Sequence, residues 1–180
     1  MKLHARGLAA GLCLGAALLS QAYAADKPPV KIGILTDMSG TYAGMGGPGS
    51  VAAAQLAIDD CLAAECKGMK IELVSADNQN KADVGAAKAR EWFGRDGVTP
   101  LPGLAHTGVW RGGRGIPGEK NKVVMFSGPA TTALTNKECS PVGFHWMFDT
   151  YSQSAGGAKA TVRAGGKSWY FITVDYAFGH

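Results

Sequence analysis

Long apolar runs are almost missing from this sequence. Beyond Gly7 to Leu19, no stretch approaches the ~20 apolar residues that a membrane-crossing helix needs, so nothing later in the chain serves as an anchor. Clustered charge is scarce as well. Charged residues make up 18% of the chain and the formal net charge is only +4. The Lys and Arg residues form no patch interleaved with aromatics, which argues against a nucleic-acid partner. Twenty-six glycines are roughly double the usual share, yet no G-x-y period runs through them, which excludes a collagen-like chain. What is present is 46% hydrophobic residues in 180 positions, material for one core but not for two full domains.

The first residues have the form of a secretory signal. Lys2, His4 and Arg6 open it, the apolar run from Gly7 to Leu19 follows, and Ala22-Tyr23-Ala24 supplies a small-x-small cleavage pattern, so cleavage is expected after Ala24. Cys13 lies inside the apolar run behind Leu12, where a lipid-attachment cysteine would need a small residue before it. An exported chain meets an oxidising compartment. Cys61, Cys66 and Cys139 remain after cleavage, and three cysteines cannot all pair. Cys61 and Cys66 can be bridged only if the helix they flank stops between them; otherwise both stay thiols. Nothing near them supplies the further ligands of a zinc site, and no cofactor is implied.

Val30 to Thr36 (VKIGILT) has the β-branched, apolar composition of a strand buried in a parallel sheet. A Gly/Ser-rich loop follows from Asp37 to Gly49. Val51, Ala54, Ile58, Cys61 and Leu62 then recur at helical spacing, which predicts an amphipathic helix over about 50–64. Met69 to Ser75 is a second expected strand. Asn80 is a candidate cap for a helix whose Ala82, Ala86, Ala89 and Phe93 share a face and which Gly97 ends. Further strands are expected at Lys122–Ser127 and Ser168–Val174, with a helix over 153–164 between them. Trp146 and Trp169 are expected in the core or hinge, and His145 is expected to be packed. This alternation means βαβ units and a parallel sheet.

One expected strand and helix are missing. Residues 98–118 carry six glycines and three prolines in 21 positions, and no strand or helix period fits them. The stretch is either a long functional loop or residues read out of frame from a GC-rich gene, and the bulk of Gly, Arg, Pro and Trp favours the second. A sheet without its third strand would expose hydrogen-bonding edges, which predicts aggregation.

The motifs VKIGILTDMSGTYAGMGGPGSVAAAQLAIDD, IELVSADNQNKADVGAAKAREW, EKNKVVMFSGPATTALT, CSPVGFHW and TVDYAFG, in that order, resemble type I periplasmic substrate-binding proteins of ABC transporters, in particular branched-chain amino acid receptors. The resemblance covers about residues 30–97 and 119–179. It implies an α/β fold of two lobes joined by a hinge, a Venus-flytrap arrangement that closes on its ligand. The implied boundaries are a signal at 1–24, the first lobe at 25–148 with 98–118 disrupted, and the start of a second lobe at 149–180, an N-terminal portion of such a protein. The implied function is that of the extracytoplasmic solute-binding component of an importer in the periplasm. It would bind an amino acid or related organic acid and dock on an inner-membrane permease; a ligand-sensing receptor module of the same fold is the alternative.

In parallel sheets ligands sit beyond the carboxyl ends of strands, where loops enter helices. Ser39 and Tyr42 follow the first strand, and Ser127, Ala130, Thr131 and Thr132 follow KVVMFS, so both groups occupy that edge. The resemblance implies that the Ser-Gly-Pro-Ala-Thr-Thr loop contacts a ligand's carboxylate and amine, that Tyr42 walls the cleft, and that Asp175 and Tyr176 line it from the second lobe. The serines and threonines could equally be helix caps or turn formers.

Enzyme readings fit less well. Gly44 to Gly49 spells GxGxxG, but the motif starts eight positions after Thr36 and Pro48 removes one amide donor. Asp77, the candidate ribose ligand, lies 28 residues beyond Gly49, against about 20 in that motif. Gly166-Lys167-Ser168 lacks the first glycine of a phosphate loop, no G-x-S-x-G elbow is present, and no carboxylates pair at strand ends. The chain is therefore expected not to be an enzyme.

Overall fold

A computed structural model describes residues 28–102, 119–176 and 178–179. Strand β1 (Val30–Thr36) has the predicted bounds and runs parallel to β2 (Ile71–Asp77), with Val30 opposite Ile71 and Thr36 opposite Asp77. Strands β3 (Leu101–Pro102), β4 (Val124–Phe126) and β5 (Gly143–His145) form a second parallel set. The two sets are joined by a parallel bridge between Lys31 and Val98. Thr99 N–H donates to the Lys31 carbonyl at 2.8 Å and Gly33 N–H to the Pro100 carbonyl at 3.2 Å. The spatial order is therefore β2-β1-β3-β4-β5, the doubly wound order with its reversal between β1 and β3.

At the third strand position the described residues hold a short strand. Residues 98–102 fill the place between β1 and β4, with Val98 and Leu101 buried. Prolines remove donors but keep their carbonyls. Pro100 still accepts from Gly33, and Leu101 N–H donates to the Val123 carbonyl at 3.0 Å, so a short strand forms where no strand period is visible. The remainder of the glycine-rich stretch, 103–118, lies outside the described residues, as does the signal sequence.

Helix α1 (Gly47–Ala63) starts three residues before its expected position, because Pro48 fits a first turn whose amide has no partner to lose. Ile58 is buried, and Val51, Ala54, Cys61 and Leu62 are half-buried, the stripe expected from their spacing. The helix stops at Ala63, the chain folds back so that Cys66 N–H donates to the Cys61 carbonyl at 2.7 Å, and a disulfide joins Cys61 to Cys66. Cys139 is a free, exposed thiol.

Helix α2 (Ala82–Glu91) continues as a π turn, Trp92–Asp96. Its N-cap is Lys81, not Asn80; the Asn80 backbone is left-handed (φ 55°) and its N–H donates to Asn78 Oδ1 at 2.9 Å in a turn ahead of the helix. Asp83 in the first turn and Lys88 and Arg90 in the last complement the helix dipole. Gly97 takes the left-handed conformation that ends the segment. Ala86, Ala89, Trp92 and Phe93 are buried against Leu35, Val98, Leu101, Val124 and Phe126, while Ala82 is exposed. Gly33 lies where a Cβ would come within 2.6 Å of Val98 Cγ1 and 2.7 Å of Trp92 Cζ3, so only glycine lets this layer close on the sheet.

Helix α3 (Thr150–Arg163) begins three residues before its expected position because Asp149 and Ser152 form a reciprocal capping box. It has no buried residue. Ser168–Val174, expected as a strand, lies in no strand; strand formation needs a neighbouring backbone, and no described strand adjoins it. Trp146 and Trp169, expected in the core or hinge, are exposed and so not in the core, and His145 is half-buried. Among the described residues no helix is long and apolar enough to cross a membrane.

Candidate functional site

The loop leaving β1 is folded by two carboxylates. Asp37, fully buried, accepts Gly40 N–H at 2.6 Å and Tyr42 N–H at 2.8 Å. A Cβ on Gly40 would come within 2.7 Å of both Asp37 carboxylate oxygens, so a side chain there would break the turn. Asp77, ending β2, accepts Met38 N–H at 2.9 Å, the Ser39 hydroxyl at 2.6 Å and Gln79 N–H at 2.8 Å. These donors, the Ser39 hydroxyl foremost, hold the Asp77 carboxyl below its ordinary value. The Tyr42 carbonyl then accepts from Met45 and Gly46 at 3.0 Å as the chain enters α1.

The loop leaving β4 is fixed from the other side. Thr131 Oγ1 accepts Ala133 N–H at 3.4 Å and caps the short 3-10 turn Thr132–Thr135. Thr132 Oγ1 pairs with Thr150 Oγ1 at 2.8 Å and accepts Tyr151 N–H at 3.2 Å, while Thr150 N–H donates to the Ala130 carbonyl at 2.8 Å. The first turn of α3 is thereby tied to the sheet edge.

Between these loops, beyond the carboxyl ends of β1, β4 and β5, lies a pocket of about 250 Å³. Thr36, Tyr42, Met45, Gly46, Ser50, Ser127, Gly128, Met147 and Phe148 line it. Its polar atoms are hydroxyls and backbone groups, its walls are aromatic and thioether, and none of these lining residues is charged. Thr36 Oγ1 is fully buried and has no hydrogen-bond partner among the described residues. A buried hydroxyl without a partner costs free energy, on the order of 1–3 kcal/mol. The Tyr42 hydroxyl meets that of Tyr176 at 2.8 Å, bringing the end of the described chain onto the pocket wall. Partial burial first, and then the bond to Tyr42, raise the Tyr176 hydroxyl above the ordinary tyrosine value.

Of the residues predicted from sequence, Tyr42 and Ser127 line the pocket, and Tyr176 reaches it through Tyr42. Ala130 and Thr131 are buried behind it, Thr132 is at the junction with α3, and Ser39 is turned to Asp77. Asp175 is exposed and outside the lining. Sequence reasoning missed Thr36, Met45, Ser50, Met147 and Phe148. Thr36 carried a legible signal as the polar residue closing the apolar run Ile32–Leu35; the others depend on loop conformations that no local pattern encodes.

A model of the periplasmic binding protein family matches residues 29–180. A periplasmic binding protein from Burkholderia mallei is 41% identical, with a TM-score of 0.78 over 84% of this chain and 40% of its own. A branched-chain amino acid ABC transporter periplasmic ligand-binding protein from Burkholderia xenovorans is 36% identical, with a TM-score of 0.73 over 83% of this chain and 40% of its own. An ABC transporter solute-binding protein from Rhodopseudomonas palustris, solved with benzoate, shares the fold at 23% identity and a TM-score of 0.73, over 84% of this chain and 42% of its own. This chain thus spans about 40% of the length of these relatives. No curated protein matches it. The parallel-sheet fold, the pocket at its carboxyl edge and the family match over nearly all of the described residues agree, and the chain belongs to the periplasmic binding protein family.

Proposed function

We propose that this chain is the extracytoplasmic solute-binding component of an ABC importer and not an enzyme. Its ligand is a small carboxylate, an amino acid or related organic acid, held against the pocket at the sheet edge. In this reading residues 1–24 direct export and are removed, residues 25–148 form the first lobe, a second lobe starts near Asp149, and the inner-membrane permease is the partner. Tyr42, Ser127 and the backbone from Ala130 to Thr132 serve the ligand, with Asp175 and Tyr176 on the opposite side of the cleft.

The observation that carries the reading is an uncharged pocket at the carboxyl edge of the sheet, walled by Tyr42, Met147 and Phe148 and lined by Ser50 and Ser127. Short hydroxyls and amides can hold a carboxylate without a full positive charge, and aromatic and thioether walls suit an apolar body. The Burkholderia xenovorans relative is described as a branched-chain amino acid transporter protein and the Rhodopseudomonas palustris one was solved with benzoate, both within this ligand class.

Calorimetric titration of the exported chain with branched-chain amino acids, benzoate-type acids and NAD tests the reading. Heat from a small acid and none from NAD is the expected result. NAD binding by folded protein without response to any acid would overturn it. Ser127→Ala should weaken the bound acid roughly tenfold, the worth of one hydrogen bond, while Ser127→Thr retains it. N-terminal sequencing of the exported chain should begin at Ala25.

A further inference from the structure

The Asp37 carboxylate is fully buried and stands outside the pocket lining, yet both of its oxygens are committed to the loop that enters the pocket. Oδ1 accepts Gly40 N–H at 2.6 Å and Oδ2 accepts Tyr42 N–H at 2.8 Å. A carboxylate can serve two amides in this way because it carries two acceptor oxygens, where an amide side chain carries one. The other side of Tyr42 is fixed as well, since its carbonyl accepts Met45 N–H and Gly46 N–H at 3.0 Å as the chain turns into α1. With amide and carbonyl both held, the Tyr42 Cα–Cβ bond has one direction, and along it the side chain is delivered to the pocket wall. Asp77 anchors the near end of the same loop at Met38 and Ser39; of the two carboxylates, Asp37 is the one bonded to Tyr42.

We propose that Asp37 is a positioning residue for the binding site: it acts through the Tyr42 amide to hold the Tyr42 ring where a ligand in the pocket meets it. The proposal rests on the reading of Tyr42 as a wall of the ligand cleft. A binding group held in place by its neighbours loses less freedom when the ligand arrives, so releasing Tyr42 weakens binding without removing any atom that touches the ligand.

Asp37→Asn keeps the shape of the side chain and one acceptor oxygen, and leaves one of the two amides facing an NH2 group. Calorimetric titration of the exported chain with L-leucine and with benzoate should then give an affinity roughly tenfold weaker, the worth of one hydrogen bond. Tyr42→Ala should weaken binding too, and Asp37→Asn added to it should weaken binding no further, because a ring that is gone cannot be misplaced. Gly40→Ala, whose Cβ would come within 2.7 Å of both Asp37 oxygens, should show the same lack of additivity with Tyr42→Ala. Amide hydrogen exchange followed by NMR reads the anchor without a ligand. The Tyr42 amide should be protected in the wild type and exchange roughly tenfold faster in Asp37→Asn, while the β1 amides stay protected and show that the sheet is intact. Additive losses in the double variants, or a Tyr42 amide indifferent to Asp37→Asn, overturn the proposal. A wild type that binds neither acid while its Tyr42 amide responds to Asp37→Asn overturns the solute-binding reading and not the anchoring of Tyr42 by Asp37.

Discussion

Two seven-residue segments of this chain, VKIGILT at 30–36 and SWYFITV at 168–174, carry the same strand signature and have opposite fates. The first lies between β2 and residues 98–100, with its last four residues buried. The second is no less aromatic or β-branched, yet it lies in no strand and faces water. The same contrast separates the helices that precede β3 from α3. Helix α2 buries Gly85, Ala86 and Ala89 with no side-chain cap, while α3 has a complete capping box and buries nothing. Local chemistry starts and stops an element, but burial follows from what the rest of the chain brings against it.

The contrast can be broken by mutation. The largest expected effect is at Phe126, which is buried at the centre of the cluster around β4. Phe126→Ala should cost about 3–5 kcal/mol in urea unfolding through the cavity it leaves. A cost below ~1 kcal/mol would mean that the sheet is not packed as described. Gly33→Ala should cost about 1–3 kcal/mol, because the new Cβ must displace Val98 and Trp92; a neutral result would show that the α2 layer stands off the sheet.

The β1 loop supplies a pH prediction. Asp77 is held below its ordinary value of 3.8, so its contribution to stability is present above that value and is lost as pH falls through the lower folded value. Ser39→Ala removes the largest of the lowering interactions and should move the Asp77 titration, followed by NMR, back toward 3.8. The smallest effect belongs to α3: Val162→Ala on its exposed surface should change unfolding by no more than about 0.5 kcal/mol. A larger loss would place α3 inside a packed layer and end the contrast.

Much of the fold was legible because its signals are local. The run VKIGILT marked β1 to the residue, the spacing of Ile58 with Cys61 and Leu62 marked the buried stripe of α1, and Gly97 marked the end of the second helical segment. The short β3 was not legible, since Pro100 separates Val98 from Leu101 and Pro102 follows, and its hydrogen bonds are made with residues far away in sequence. The site was legible in part. Strand ends named Tyr42 and Ser127, but serines and threonines look alike in sequence whether they face a pocket, cap a turn as Thr131 does, or lock a loop as Ser39 does.

The sequence alone thus determined the parallel α/β class, the family resemblance and which strand ends carry the hydroxyl-rich loops, because periodicity and turn chemistry act over a few residues. Only the tertiary structure decided that 98–102 lies between β1 and β4, that Cys61 reaches Cys66 and that the Thr36 hydroxyl is buried with no partner among the described residues. It also decided that SWYFITV stands exposed. Each of these depends on which distant backbone or side chain comes to lie alongside, and a strand's hydrogen bonds and a side chain's burial are properties of that neighbour as much as of the residue itself.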